Sequence, residues 1–337
     1  MTADADPAPS DPAPADPAPT GPAASGPTDA KRKLVADLAA DLAAETGDLL
    51  PVLARADWDA ATPAEGWTVR DQVTHLAFFD DAVALSLGDP AEFAKQRAEQ
   101  VALGGNFPDL LAERHRHLPG EEVLAWLTRS RAALVAAYRA ADAAARLPWY
   151  GPDMSVPSSV TARIMETWAH GQDIRDTVGV ATPVTSRLRH IANLGVRTFG
   201  FCFAQRELPV PGDPVRVRLR GPSGDIWEWT AGGSADRAAH TTAGGGADRA
   251  AGASTGTGGV ANTVTGNALD FCLVVTQRRN VADTGLGVRG GTAEQWIAIA
   301  QAFAGGATDP PPAGTRTGPA SVRAAYGAHL DREGGQR

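Results

Sequence analysis

Residues 165–173 read Met165-Glu166-Thr167-Trp168-Ala169-His170-Gly171-Gln172-Asp173, a carboxylate and an imidazole four residues apart. Four residues turn an α-helix by about 400° and raise it by about 6 Å, so both side chains leave from one face. They can then meet one ion, or simply each other. The helix itself is signalled by Pro157-Ser158-Ser159 at its start and runs to about Val178.

Working outward, residues 30–205 read as helices. Leu34, Leu38, Leu42, Leu49 and Leu53 recur at helical spacing and predict an amphipathic first helix. Thr68 followed by Asp71 resembles a capping box, and the helix it opens runs to about Leu87, where Gly88 and Pro90 end it. Val123, Leu124, Leu127, Leu134 and Val135 mark another long helix. Four long helices predict a bundle, an architecture that builds metal sites from inward-facing side chains of separate helices. His75, on the second helix, offers a third ligand beside Glu166 and His170. Two neutral imidazoles and one carboxylate leave a divalent ion with net positive charge and an open position, as in a catalytic zinc site. By residue type alone, Glu166 and His170 also read as an ordinary i,i+4 hydrogen bond and His75 as a core histidine.

Past a helix expected at about 184–204 the period changes to two. Val215, Val217 and Leu219 alternate with arginines, and Pro222-Ser223-Gly224-Asp225 turns the chain into Ile226-Trp227-Glu228-Trp229-Thr230. Residues 264–278 and 293–304 return to helical periodicity, so an α+β layer follows the bundle. The expected division is a Pro/Ala/Asp-rich tail at 1–29, a metal-binding bundle at 30–205, an α+β domain at 206–305 with a low-complexity insertion at 232–259, and a flexible tail at 306–337 in which Val322 to Leu330 suits a short helix.

The formal charge is −8, with no Lys/Arg block to follow a phosphate backbone, which argues against nucleic acid as a partner. No apolar run approaches a spanning helix, and the amino terminus lacks the basic-then-apolar order of a signal peptide, so no membrane association is expected. Cys202 and Cys272 sit inside apolar runs and read as core filling in a reducing cytoplasm. Abundant Ala, Gly, Arg and Pro with scarce Lys, Ile and Tyr suggest a GC-rich, actinobacterial type of genome. Gly244-Gly245-Gly246 has neither a preceding strand nor a following helix cap, so no nucleotide cradle is expected.

Gly66-Trp67-Thr68-Val69-Arg70-Asp71-Gln72-Val73-Thr74-His75-Leu76 together with the 165–173 stretch resembles the two signatures of the DinB-like bundle superfamily. Within it, the pair is similar to the metal-binding domain of mycothiol-dependent maleylpyruvate isomerases. The resemblance implies that His75, Glu166 and His170 hold the metal, most simply Zn²⁺. It also implies that residues 206–305 form a sterol-carrier-like domain. An arginine after the C-terminal helix of that family is implied in catalysis, and its nearest match is Arg278. It lies in Thr276-Gln277-Arg278-Arg279, where the family reads Thr-Gly-Arg.

Of the remaining polar residues, Asp173 and Asp71 read as solvated acids, with a supporting role behind a ligand as the alternative. His115 and His117 read as exposed loop residues, and His190, His240 and His329 are not assigned to the metal. The expected chemistry is activation of mycothiol or a related small-molecule thiol for addition to an electrophilic substrate, giving S-transfer or cis/trans isomerisation in a monomer or homodimer. A free thiol is only a few per cent ionised at pH 7, and a divalent metal removes its proton near neutrality. Metal-dependent hydrolysis, ferrous oxygenation and non-enzymatic ligand binding are the alternatives.

Overall fold

A computed structural model describes residues 27–104, 106–233 and 262–316. The expectations for most of 1–29, for 232–259 and for a helix at 322–330 lie largely or wholly outside those residues. The fold is mixed α+β, with a mostly helical N-terminal part and a small sheet layer after it.

The helical part is built on α1 (Pro27–Leu53), α2 (Val69–Gly88), α5 (Gly120–Ala140) and α6 (Val156–Val178). Both α1 and α2 pack against α5 and α6, so the four form a bundle with α1 opposite α2. Thr68 closes a full capping box: its side chain accepts from the Asp71 backbone N–H, and the Asp71 carboxylate accepts from that of Thr68. Ser155 caps α6 by accepting from Ser158 N–H, and Gly179 ends that helix at φ +75°.

Between α2 and α5 the structure has two helices that apolar periodicity does not signal, α3 (Pro90–Ala102) and α4 (Phe107–His115). Phe93 is the buried residue of α3, so its amphipathic stripe is too thin to detect. Asp89 and Pro90 end α2 and also begin α3, with the Asp89 side chain accepting from Glu92 N–H at 3.0 Å. His115 is therefore at a helix terminus, half-buried, with its ring 5.1 Å from that of Trp126.

A two-residue ribbon, β1 (Arg146–Leu147) with β2 (Met154–Ser155), leads into α6. The helix expected at 184–204 is broken at Thr198 into α7 (Leu188–Arg197) and α8 (Phe199–Ala204). Strands β3 (Val215–Arg220) and β4 (Ile226–Ala231) make the expected hairpin, with Val215, Val217 and Leu219 buried and the intervening arginines exposed. The helical reading of 264–278 is wrong over its first residues. Thr263–Asn267 is strand β5, parallel to β3, and α9 starts only at Ala268, where Asn267 caps it by accepting from Asp270 N–H at 2.7 Å. With β6 (Gly287–Arg289), the sheet order is β4-β3-β5-β6, and α10 (Gly291–Ile299) completes the layer.

Helix α6 belongs to both parts. Val160 and Ile164 join the core of the bundle, whereas Met165, Trp168 and Ala169 join the core formed by α7–α10 and the sheet. A helix buried nearly all round presents different faces to two cores, and the 165–173 motif sits where those faces meet. Residues 306–316, expected as flexible tail, instead lie against the fold. Gln301 Nε2 donates to Gly306 O at 3.0 Å, Thr308 Oγ1 bonds to Gln277 Oε1 at 2.8 Å, and Arg316 reaches Asp173. Among the described residues no helix is long and apolar enough to cross a membrane, and both cysteines are free and buried.

Candidate metal centre

Helices α2 and α6 bring His75, Glu166 and His170 together, with one ligand atom from each within 4.8 Å of the others. Glu166 lies between the histidines: its Oε2 is 3.1 Å from His170 Nε2 and 3.6 Å from His75 Nε2. The imidazole rings are 4.4 Å apart. On the far side of His170, Nδ1 bonds to Gln72 Oε1, and the Gln72 amide donates to Thr62 Oγ1 at 2.9 Å. His75 Nδ1 is buried with no hydrogen-bond partner.

Aromatic rings surround the imidazoles. Trp67 stacks on His170 at 5.8 Å and tilts against His75 at 5.3 Å, and Phe79 packs on His75 at 4.5 Å. Burial and then the neighbouring His170 push His75 down to about 4, so it is neutral at pH 7, the form that offers a lone pair to a metal. Burial alone would raise Glu166, but its contacts with His170 and His75 hold it well below the ordinary carboxylate range. The centre therefore offers one anionic oxygen and neutral imidazole nitrogen.

Behind it stands a fully buried carboxylate, Asp80, one turn and a half past His75 on α2. It accepts from Arg131 Nε at 2.5 Å and from Arg163 Nε at 3.1 Å. Arg163 also donates to Leu76 O at 3.1 Å. Because Leu76 follows His75 and Arg163 lies three residues before Glu166, one guanidinium ties the backbone of one ligand helix to the other.

Asp173 does not match its solvated reading, and Arg278 is turned inward to pair with it. Asp173 is 1% exposed and bonds to Arg278 Nη2 at 2.7 Å and to Arg316. Burial would raise its carboxyl, yet Arg278 and Arg316 keep it below the ordinary range. One turn on, Asp176 receives both terminal nitrogens of Arg279 at 2.7 Å. Asp71 is likewise buried rather than solvated, bonded to Arg116 at 2.9 Å as well as capping α2. Gln277 adopts φ +57°, the left-handed conformation glycine favours. Among the described histidines, His115, His117 and His190 stand outside the cluster, whereas His240 and His329 lie outside the described residues.

Sequence reasoning passed over Gln72, Thr62, Trp67, Phe79 and the Asp80–Arg131–Arg163 group. Gln72 had a signal in its spacing, three residues before His75 and so on the same side of α2. Thr62 had none, because its position depends on a loop closed by Thr62 N–H donating to Trp67 O at 2.8 Å.

The family model described as mycothiol maleylpyruvate isomerase N-terminal domain matches residues 39–175, from within α1 to the last turn of α6, and spans all three residues of the cluster. The chain belongs to this family. An uncharacterized protein of Mycobacterium tuberculosis, recorded in strains CDC 1551 and H37Rv, is 39% identical over 269 residues, covering 79% of this chain and 95% of the relative. The crystal structure of the mycothiol-dependent maleylpyruvate isomerase is similar at a TM-score of 0.47 and 15% identity, over 85% of this chain and 96% of that one. A mutant of that enzyme gives 0.46 and 14%. The family match ends at residue 175, so it includes α2 and most of α6 but not Arg278.

Proposed function

We propose that this member of the mycothiol maleylpyruvate isomerase N-terminal domain family holds a divalent metal, Zn²⁺ by donor type, on His75, Glu166 and His170. The observation that carries the reading is the spacing of the donors. Bond lengths of about 2.0–2.1 Å in a tetrahedral site put neighbouring ligand atoms about 3.3–3.4 Å apart. The Glu166–His170 and Glu166–His75 separations of 3.1 and 3.6 Å bracket that edge. Nitrogen, nitrogen and oxygen suit zinc, and three protein donors leave a position for a substrate atom.

Bound there, such a cation supplies the positive charge that lowers the pKa of a coordinated thiol toward neutrality. The family name supports a small-molecule thiol of the mycothiol type as the substrate, with an electrophilic carbon as its target, in S-transfer or isomerisation. The chain's own residues hold and shield the site. Glu166 contributes the negative charge, and the burial that keeps His75 neutral favours ligation. Trp67 and Phe79 limit water beside the imidazoles, which strengthens electrostatic interactions within. Arg278 bonds to Asp173 three residues past His170, and we assign it a positioning role between α6 and the C-terminal layer rather than contact with substrate. We propose the domain division 30–205 and 206–305, with α6 packing against both the bundle core and the core built by α7–α10 and the sheet.

Elemental analysis of purified wild type, His75→Ala and His170→Ala, with thiol binding followed on the same samples, tests the reading. Near-stoichiometric metal in the wild type, lost from both variants together with thiol binding, is the expected result. A metal-reconstituted wild type without metal refutes it.

A further inference from the structure

The partners of His170 form a hydrogen-bond chain whose direction is fixed at its far end. Thr62 Oγ1 lies 2.9 Å from the backbone carbonyl of Trp67 and 3.4 Å from that of Ala64, both of which can only accept, so the single Thr62 hydroxyl proton is committed to these carbonyls. The same oxygen is then an acceptor toward Gln72, 2.9 Å away, which must present its NH2 group. With Nε2 turned to Thr62, Gln72 Oε1 faces His170 Nδ1, and a carbonyl oxygen again only accepts. His170 Nδ1 must carry the proton. In a neutral imidazole the lone pair is then on Nε2, the nitrogen 3.1 Å from Glu166 Oε2.

We propose that Gln72 is a positioning residue that fixes His170 in its Nδ1–H tautomer and turns the Nε2 lone pair toward Glu166 and the cation site. This rests on the metal-binding reading above, because a lone pair directed at a carboxylate has two acceptors face to face, an arrangement that a cation between them satisfies. Gln72 suits the task. It is fully buried, so water does not compete for His170 Nδ1, and it is on α2 three residues before His75, so one helix supplies a ligand and the group that orients another. The loop that anchors the chain is itself fixed. Thr62 N–H donates to Trp67 O at 2.8 Å, Trp67 N–H donates to Ala64 O at 3.0 Å, and Gly66 between them adopts φ +77°. Trp67, at the end of that loop, stacks on the His170 ring. The loop thus sets both the proton position and the plane of one imidazole. His75 has no equivalent, since its Nδ1 is buried and unpartnered, so the two histidines are held by different means. Partners of this kind typically govern metal affinity 10- to 100-fold.

The test uses the full chain with Gln72→Leu, Gln72→Glu and Thr62→Val. Leucine matches the size of glutamine but accepts nothing, glutamate keeps the acceptor, and valine removes the anchor that orients the amide. In the metal-free protein, at a pH alkaline enough that His170 carries a single proton, ¹⁵N-edited NMR of the imidazole should show His170 as the Nδ1–H tautomer in the wild type and in Gln72→Glu. It should show a mixture in Gln72→Leu and Thr62→Val. Zinc affinity, measured by chelator competition, should fall about 10- to 100-fold in Gln72→Leu and stay within a few-fold of wild type in Gln72→Glu. The Co²⁺ absorption spectrum should change in the leucine variant alone of the Gln72 pair. Far-UV circular dichroism identifies any variant that fails to fold, and Thr62→Val then carries the test. A wild-type Nε2–H tautomer, or an unchanged tautomer and affinity in folded Gln72→Leu and Thr62→Val, overturns the proposal. A wild type that shows the Nδ1–H tautomer but binds no metal supports the role of Gln72 in orienting His170 and refutes the metal reading alone.

Discussion

Replacing Asp80 by Asn removes the negative charge that two buried arginines share. Asp80 is 0% exposed, and the side chains of Arg131 and Arg163 beside it are 5% and 3% exposed. The carboxylate accepts from Arg131 at 2.5 and 3.2 Å and from Arg163 at 3.1 Å, so the group already carries one excess positive charge. Asparagine keeps one acceptor oxygen but turns an NH2 toward a guanidinium, and it leaves two charges in the core without a counterion. Breaking a buried pair in this way costs about 3–5 kcal/mol, a large part of the roughly 5–15 kcal/mol that stabilises a typical domain. At roughly 2–4 °C per kcal/mol for a chain of this size, the midpoint should fall by roughly 6–20 °C. Urea unfolding of the metal-free protein at pH 7, with chelator present, measures the loss without a contribution from metal binding. Combining Asp80→Leu with Arg131→Met and Arg163→Met should recover most of it, since an apolar core of similar volume no longer holds stranded charge. A loss under about 1 kcal/mol in Asp80→Asn, against the range expected for a broken buried pair, would show that water reaches the arginines and would refute the argument.

Two further predictions concern acid stability and close packing. His75 is lowered from 6.5 to about 4, so the unfolded chain binds its proton first, and the neutral folded histidine is favoured at higher pH. Metal-free protein should therefore lose stability as pH falls from about 6.5 to 4, by about 3 kcal/mol at most, and His75→Gln should flatten that slope in pH-dependent urea unfolding; an equal slope in both proteins would refute the assignment. On α7, a Cβ at Gly195 would lie 2.7 Å from Val275 Cγ2 and 3.0 Å from its Cβ, so Gly195→Ala should force α7 away from α9. A stability loss of about 1–3 kcal/mol is expected by calorimetry, and a stabilised variant would show that the helices separate freely.

What the sequence made legible is what short-range periodicity encodes. The spacing of Glu166 and His170 within one helix, the Thr68–Asp71 cap and the alternation through Val215, Val217 and Leu219 each depend on residues a few positions apart, and each appears where expected. Errors arise where long-range contacts decide. Thr263–Asn267 is a strand because β3 lies beside it, and its local pattern merges with the apolar helix that follows. The burial of Asp173 and Asp71 depends on arginines 105, 143 and 45 residues away, Arg278, Arg316 and Arg116, which no local reading connects to them. At the centre itself, motif resemblance named His75, Glu166 and His170, but the direction of the Gln72 hydrogen bond depends on a threonine brought in by loop closure.

The two faces of α6 give these contacts a common consequence. Glu166 and His170 point to the cluster they form with His75, whereas Asp173 and Asp176, one and two turns on, are bonded to Arg278, Arg279 and Arg316 from the C-terminal part. These three arginines against two aspartates hold the end of α6 in low-dielectric surroundings where each ion pair resists separation. Any movement of the sheet layer relative to the bundle must break them or carry α6 along. Because His170 lies only three residues before Asp173, less than one helical turn, such a movement would be felt at His170 through rigid backbone. The left-handed Gln277 has a part in this, since its side chain bonds to Ala300 O and Thr308 O at 3.1 and 2.8 Å and so holds the loop that presents Arg278. Glycine would relieve the backbone at that position but forfeit those bonds. The glutamine thus fixes by side-chain contact a loop that glycine would permit by conformational freedom, and Arg278 is presented to Asp173 instead of to open solvent.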